Sequence, residues 1–166
     1  MPLTTQVSAT TAIDLTGSPT VGGAIPSLSK GRTADIVLAD GSGSNQANKC
    51  FLSNRTLASA ANDDLDLATG LLDPFGASLI FATVKVIVIR ADSSNTTNLT
   101  VSPGASNGFV GPFGASSHTV QVRPGGALVF VAPQTGWTVT PATGDILRVA
   151  NGSGASATYT IEIAGT

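Results

Sequence analysis

The chain has 166 residues and a formal net charge of −2, and only 11% of its residues are charged, whereas 42% are hydrophobic. That charged fraction is less than half of the roughly 25% typical of a soluble domain, so Ser, Thr, Asn, Gln and Gly must supply much of the surface. A sparsely charged surface suits burial against neighbouring subunits, because few ions need desolvating on contact. The eight basic residues are scattered without a run, which argues against direct binding of nucleic acid.

The N-terminal sequence Met1-Pro2-Leu3-Thr4 lacks the basic and apolar regions of a secretory signal, so synthesis and assembly in a cytoplasm are expected. The longest apolar stretch, residues 79–89, is interrupted by Thr83 and Lys85 and is too short to span a bilayer, so no membrane partner is predicted. The single cysteine, Cys50, cannot form an intrachain disulfide and is predicted to be a small buried hydrophobe.

Residues 1–31 show weak periodicity, with glycine and proline punctuating a Thr/Ser-rich sequence, and are predicted to form an extended N-terminal arm. Apolar residues are spaced along this arm, and a free linker has no use for them. The arm is therefore predicted to lie on a neighbouring subunit, with contacts through Val7, Ile13, Leu15, Val21 and Ile25.

Beyond the arm, short strand signals alternate with turn residues to the end of the sequence. The predicted strands are Thr33–Ala39, Cys50–Ala58, Ser78–Ala91, Asn98–Ser102, Thr119–Arg123, Ala127–Ala132, Trp137–Thr140, Asp145–Ala150 and Ala155–Ala164.

Two of these strands have distinct patterns. In the last one, Ala157, Tyr159, Ile161 and Ile163 alternate with polar residues, which indicates a half-buried strand with these four side chains inward. Residues 79–90 are nearly apolar on both faces and rich in β-branched residues, which favours a central core strand over a helix.

Only residues 57–72 could hold a short helix. The fold class predicted is all-β: residues 32–166 form an antiparallel β-sandwich or jelly roll of about eight or nine strands. The sequence Pro74-Phe75-Gly76-Ala77-Ser78 recurs as Pro112-Phe113-Gly114-Ala115-Ser116, which predicts two corner turns of one type with both phenylalanines buried beneath them.

Few residues could support catalysis, since there is one each of His, Cys, Tyr and Glu. Gly104-Ala105-Ser106-Asn107-Gly108 matches a nucleophile elbow, but Pro103 precedes it and the following sequence cannot begin a helix, so it is predicted to be a loop. The lone His118 is expected at the surface or an interface. The chain is predicted not to be an enzyme.

No cofactor is predicted. A zinc site lacks ligands, because no second His or Cys lies within metal-ligand spacing of the first. Calcium stays open as an alternative, since Asp63, Asp64, Asp66 and Asp73 could supply oxygen ligands, although they lack the register of a calcium loop.

Trp137 is the only tryptophan, and it has two interpretations. Buried, it anchors the sandwich; exposed, it could stack on a sugar ring. Burial is favoured, because sugar-binding modules usually present more than one aromatic side chain.

Several runs of this sequence resemble small β-sandwich virion proteins of tailed bacteriophages, in particular head decoration or cement proteins. The runs are residues 64–67, 71–76, 81–89, 122–128, 136–137 and 144–149, and the resemblance spans about residues 33 to 164. It lies in the pattern and in turn placement, and it carries over no individual functional residue.

The resemblance implies a virion structural protein on the capsid surface, assembled in the host cytoplasm. It would bind the major capsid protein from outside, associate with itself as a dimer or trimer, and reinforce the shell. The alternative is a receptor- or carbohydrate-binding domain of a phage tail fibre or spike, with Trp137 as the glycan contact.

Overall fold

The computed structural model describes residues 2–16 and 27–166, and this part of the chain contains strands and turns but no helix. The fourteen strands are β1 (Thr5–Thr16), β2 (Ser27–Asp40), β3 (Gln46–Ala47), β4 (Lys49–Leu57), β5 (Asn62–Asp66), β6 (Leu71–Leu72), β7 (Ser78–Leu79), β8 (Thr83–Ala91), β9 (Leu99–Pro103), β10 (Val120–Val122), β11 (Ala127–Val131), β12 (Trp137–Thr138), β13 (Ile146–Asn151) and β14 (Ala157–Gly165). Within those two ranges there is accordingly no helix that could cross a membrane.

Two antiparallel sheets form the body of the molecule. One has the strand order β10-β9-β13-β5, and the other has the order β11-β8-β14-β4 with β12 also paired to β8. Side chains from both sheets meet in one apolar core, in which the inward residues of β14 face those of β9 and β13. The predicted all-β antiparallel sandwich is confirmed; its jelly-roll topology stays a prediction.

The two strands with distinct sequence patterns lie at the centre of the second sheet, hydrogen-bonded to each other. In β14, Ala157, Tyr159, Ile161 and Ile163 are all buried, as their alternation predicted. In β8, Ile87 and Ile89 face the sandwich core, while Val86 and Val88 are buried on the opposite face of the sheet. The prediction of a central strand buried on both sides is confirmed.

Several predicted boundaries were wrong. Ser78–Ala91 is not one strand, because it breaks at residues 80–82 into β7 and β8, and Ile80 is exposed. Residues 57–72 form no helix: β5 lies there and pairs with β13, which satisfies its backbone within a sheet. The described residues hold fourteen strands, of which β3, β6, β7 and β12 have two residues each.

A second, smaller core lies on the outer face of the β11-β8-β14-β4 sheet. β1 and β2 form a hairpin in continuous register from Thr5↔Leu38 to Thr16↔Ser27. At its base, Leu38 is fully buried against Val86, Val88 and Ala164. Because β2 runs unbroken through residues 31 and 32, the predicted arm and the predicted sandwich domain share this strand.

The two copies of the repeated sequence share the conformation of their glycine but differ in their backbone hydrogen bonds and in their aromatic side chains. Gly76 and Gly114 both have positive φ, at 86° and 80°, which a glycine adopts without strain. Phe113 is buried as predicted, but Phe75 is 76% exposed, so its predicted burial is wrong. The first turn is held by the Asp73 carboxylate, which accepts hydrogen bonds from the amides of Phe75 and Ala77.

Candidate functional site

The most unusual surface of the molecule is the outer part of the β1–β2 hairpin, residues 8–16 and 27–35, here called the projecting hairpin. Every residue of β1 from Ser8 to Asp14 is exposed, and so is every described side chain of β2 from Ser27 to Asp35. Since neighbouring residues of a strand point to opposite faces, both faces of this ribbon are free of the body. Its nine rungs give it a length of about 30 Å.

The two faces of the projecting hairpin are here called polar and less polar after the residues of β1 that they carry. On the polar face, the Ser8 hydroxyl donates to the Asp35 carboxylate at 2.5 Å, and the Thr10 and Thr33 hydroxyls lie 3.3 Å apart. The other face carries the rung Ala9↔Ala34 and Ile13, which is 59% exposed. Ile13 pairs with Lys30 and Thr11 pairs with Arg32, so the register also places the two basic residues of the hairpin on this face. At the base of the hairpin, Val7, Ile36 and Leu38 lie on this same face, and there they pack on the body.

Both long edges of the projecting hairpin are open. Among the residues that the structure describes, β1 pairs only with β2, and β2 pairs on its other side only with β3, through Ala39 and Asp40. The outward amides and carbonyls along β1 therefore have no strand partner within the described chain. A two-stranded ribbon of this kind is at best marginally stable in water, and a further strand or a packed surface stabilises it.

The base of the hairpin is anchored by polar contacts as well as by the smaller core. The Leu3 amide donates to the Asp40 carboxylate at 3.0 Å. Lys85 is the extra residue of a bulge where β8 passes β14, and it is 2% exposed. Its ammonium donates to the carbonyl of Gly43, and more weakly to that of Gln134 at 3.5 Å, so it joins two loops beside the hairpin. Burial lowers the pKa of Lys85.

The predicted contact residues occupy three different settings. Val7 is half-buried and belongs to the anchored base, whereas Ile13 is exposed on the projecting hairpin. Leu15 pairs with Leu28 near the far end of β1, and its side chain is outside the described residues. Val21 and Ile25 also lie outside the described residues.

An apolar surface adjoins the base of the hairpin. A cavity of about 320 Å³ lies between residues 3–8 and the outer face of the sheet, lined by Leu52, Val88 and Val129 among others. A neighbouring groove runs from Leu3 past Cys50 and Leu52 to Phe75. Leu52, Phe75 and Val129 are all exposed. Cys50 lies half-buried in this groove, where burial, followed by the Asp73 carboxylate, raises its thiol pKa.

Trp137 is half-buried, so the structure combines features of both interpretations. Its indole packs edge-on against Phe130, with ring centroids 6.2 Å apart, and it borders the sandwich core. It also lines a cleft whose other walls include glycines and the residues Thr138, Thr140 and Thr143. Gly111 lies directly against the indole, since a Cβ there would be 2.7 Å from the Cβ of Trp137.

The residues of the nucleophile-elbow match form a structural loop. A Cβ on Gly104 would lie 2.5 Å from the Ile146 side chain, and the amides of Gly104 and Phe109 both donate to the Ile146 carbonyl. No helix follows Ser106 in the described chain. The Nδ1 atom of His118 lies 2.8 Å from the Phe113 carbonyl, where it braces the second corner turn.

The four aspartates considered for calcium do not converge in the described chain, which holds no group of three metal-ligating side chains. Asp64 forms a two-fold ion pair with Arg148, at 2.6 and 2.7 Å, whose hydrogen bond lowers the Asp64 pKa. Asp66 accepts from the amides of Ala68 and Thr69. Asp73 holds the first corner turn, and Asp63 belongs to a different network.

Asp63 connects the core to the surface. Its carboxylate accepts a 2.6 Å hydrogen bond from the buried Tyr159 hydroxyl and pairs with Arg55 at 3.0 Å. Burial, reinforced by the Asp63 carboxylate, raises the pKa of Tyr159 above its ordinary value.

Because Tyr159 is the only tyrosine, its ionisation can be followed by ultraviolet absorbance. The folded state holds this proton more tightly than the unfolded state, whose tyrosine titrates near pH 10. The stability gained is therefore fully present below about pH 10 and is lost as the pH rises above it. We expect tyrosinate to appear only together with unfolding in the native protein, and near pH 10 in urea. Native protein that ionises near pH 10 while its circular dichroism is unchanged would contradict this.

No protein-family model matches this chain, and no curated protein sequence matches it significantly. The structural features described above therefore carry the functional interpretation. Sequence reasoning predicted an arm over residues 1–31 and a strand at Thr33–Ala39, but it did not predict that these segments pair as β1 and β2. It also did not predict the anchoring residues Leu38 and Lys85. The burial of Leu38 could have been predicted, because Ile36 and Leu38 alternate with Asp35, Val37 and Ala39 as on one face of a strand.

Proposed function

We propose that this chain is a structural protein that attaches to the outer surface of a larger protein particle, as a head decoration or cement subunit of a bacteriophage capsid. The observation that carries the proposal is the projecting hairpin, about 30 Å of ribbon that is exposed and open-edged in its described residues and that continues from a base packed on the body. A ribbon with two free faces and two free edges is suited to binding protein by adding strands or by lying in a groove.

The chemistry of the surface supports adhesion to protein. In the projecting hairpin, β1 is built mainly from Thr, Ser and Ala, whose burial requires little loss of side-chain entropy. Its only charged residue is Asp14, because the other charges of the hairpin lie on β2, so burying the β1 side requires little desolvation of charge. The apolar groove from Leu3 to Phe75 lies beside its base and offers a second contact area on the same side of the sheet. Exposed apolar surface of this kind is typical of interaction sites.

The proposed mechanism is additive. Each subunit makes a modest contact with the major capsid protein through its hairpin, and the symmetry of the shell repeats that contact many times. Contacts linked within one assembly raise the overall affinity far beyond that of a single site. The subunits thus join neighbouring shell proteins on a capsid assembled in the host cytoplasm, without any chemical step.

A shortened hairpin tests this proposal. Residues 9–34 are replaced by Asn-Gly, a sequence that closes a two-residue hairpin turn between Ser8 and Asp35. Four rungs and the packing of Leu38 are kept, so the body should remain folded. We expect the shortened chain to lose binding to purified particles depleted of the native subunit, as measured by co-sedimentation and electron microscopy.

The control is Phe75→Ser, which removes the most exposed large apolar side chain of the body and leaves the hairpin intact. It should retain most of the binding. Equal binding by the shortened and full-length chains would refute the role of the hairpin, and loss of binding in Phe75→Ser alone would move the contact to the groove.

The alternative function, recognition of a glycan through Trp137, has less support. The cleft beside the indole offers threonine hydroxyls and glycine backbone, but none of its lining residues has the carboxylate, amide or guanidinium groups that usually orient sugars by hydrogen bonds.

A further inference from the structure

We infer that the outer edge of β1 binds the same edge of a second copy of this chain, joining two hairpins into one four-stranded antiparallel sheet with the order β2-β1-β1-β2. The inference deepens the proposed function by naming self-association as one use of the hairpin. It rests on the geometry of the hairpin alone, however, and can be tested without any particle.

The two edges of the hairpin differ in their protection against strand addition. Proteins commonly guard exposed edges with lysine, proline or a bulge. The edge strand β2 carries Lys30, Arg32 and Asp35, whereas β1 from Thr5 to Ile13 contains no charged residue, no proline and no glycine. The continuous β1–β2 register also shows no bulge. β1 is therefore the edge that accepts another strand.

The sequence of β1 is compatible with a partner identical to itself. A twofold axis at Ala9, the midpoint of the uncharged segment, places Val7 opposite Thr11 and Ser8 opposite Thr10 of the second copy. Residues of the less polar face then meet one another, and so do residues of the polar face. The two Asp14 carboxylates lie at opposite ends of the pairing, where they do not repel each other.

A second copy is favoured over a foreign strand because the twofold arrangement also stabilises both hairpins, each of which is marginally stable as a two-stranded ribbon. Each ribbon gains a third and a fourth strand at once, which a two-stranded ribbon needs for stability. The pairing is isologous, so the β1 edges of both copies are paired within one dimer and no filament grows. Addition of β1 to the β2 edge of another copy would leave open ends instead.

Ala9→Lys and Ala34→Lys form a matched pair of variants. The two alanines face each other on one rung, lie on the same face and are both exposed. In the four-stranded sheet the two copies of residue 9 are about 5 Å apart, whereas the two copies of residue 34 are separated by three strand spacings, about 14 Å. Only the first pair of lysines repels strongly across a Debye length of about 8 Å.

Analytical ultracentrifugation over a concentration series provides the readout. We expect the native chain to reach twice its single-chain mass of 16.5 kDa. Ala9→Lys should raise the dissociation constant at least tenfold, and Ala34→Lys should change it less than threefold. A native chain that stays monomeric at millimolar concentration, a trimer or open polymer, or equal effects of the two lysines would overturn the inference.

Cross-linking tests the register in a Cys50→Ala background. A thiol introduced by Ala9→Cys lies opposite its own copy and should be joined by a short bifunctional maleimide, whereas one introduced by Ala12→Cys lies opposite Gln6 and should not. Equal cross-linking of both would reject the axis at Ala9. Failure of the dimer leaves particle binding by the shortened and full-length chains as a separate measurement, so the two proposals can fail independently.

Discussion

Gly165→Ala is expected to lower the free energy of unfolding by about 3 kcal/mol, at the upper end of the usual cost of overpacking a core. A Cβ at residue 165 would lie 2.0 Å from the Thr83 carbonyl oxygen and 3.1 Å from the buried ring of Phe81. The backbone of Thr83 cannot move away freely, because its carbonyl accepts from the Thr166 amide and its own amide donates to the Thr166 carbonyl.

Gly152→Ala is the matched control. Its Cβ would have 3.7 Å of space to the nearest atom, Thr97 Cβ, and residue 152 is exposed with φ outside the left-handed region. We expect less than about 1 kcal/mol of change there. Urea unfolding followed by circular dichroism measures both variants. Similar midpoints for the two alanine variants would show that the bulge beside Gly165 is not as tightly packed as described.

Leu38→Ala is expected to cost about 3 kcal/mol and to loosen the hairpin from the body. Leu38 is fully buried between the hairpin and the outer face of the sheet, and truncating such a side chain to alanine typically costs 2 to 5 kcal/mol. Because the projecting hairpin is exposed along its described length, loss of this anchor at the base should be felt locally as well as globally.

Val37→Ala provides the comparison, since Val37 is the preceding residue of the same strand but is 55% exposed on the other face. Its effect should stay below about 1 kcal/mol. Hydrogen–deuterium exchange should speed up at residues 3–7 and 35–40 in Leu38→Ala and not in Val37→Ala. Unchanged exchange together with equal stability of the two variants would mean that the smaller core does not hold the hairpin.

The central strands could be predicted because their signal is local. In β14 each apolar residue alternates with a polar one, and in β8 the β-branched run is unsuited to a helix. These patterns require only that one or both faces be buried, and both strands lie at the centre of the sandwich.

By contrast, β5 was missed because three of its five residues are aspartates, which are rare in strands. Its pairing with β13, and the ion pair of Asp64 with Arg148, override that preference.

The hairpin illustrates what a linear pattern cannot supply. Between Val7 and Ile13, β1 contains only Ser, Ala and Thr, so its strand has almost no hydrophobic period. Its partner lies far along the chain, since Thr5 pairs with Leu38, and such a register depends on the whole hairpin. The sequence predicted an extended arm with spaced apolar residues and a role for it in contacts. The anchored base of the hairpin, its exposed outer part and its open edges become apparent only from the β1–β2 pairing.

Phe75 shows a different limit. Its turn shares a positive-φ glycine with the turn of Phe113, and the similar local sequence suggested similar burial. The carboxylate of Asp73 closes the first turn through backbone amides, so that turn needs no ring beneath it. In the second turn, Val110 occupies the position equivalent to Leu72, and the amides of Phe113 and Gly114 both donate to the Val110 carbonyl.

The unguarded strand β1 also has a consequence for the solubility of the chain. A long uncharged edge is a template for indiscriminate strand addition, and a net charge of only −2 gives little mutual repulsion between molecules. While this edge is uncovered, we expect the chain to aggregate as its concentration rises. The proposed pairing of two β1 edges would cover this template, and it would therefore favour solubility as well as assembly.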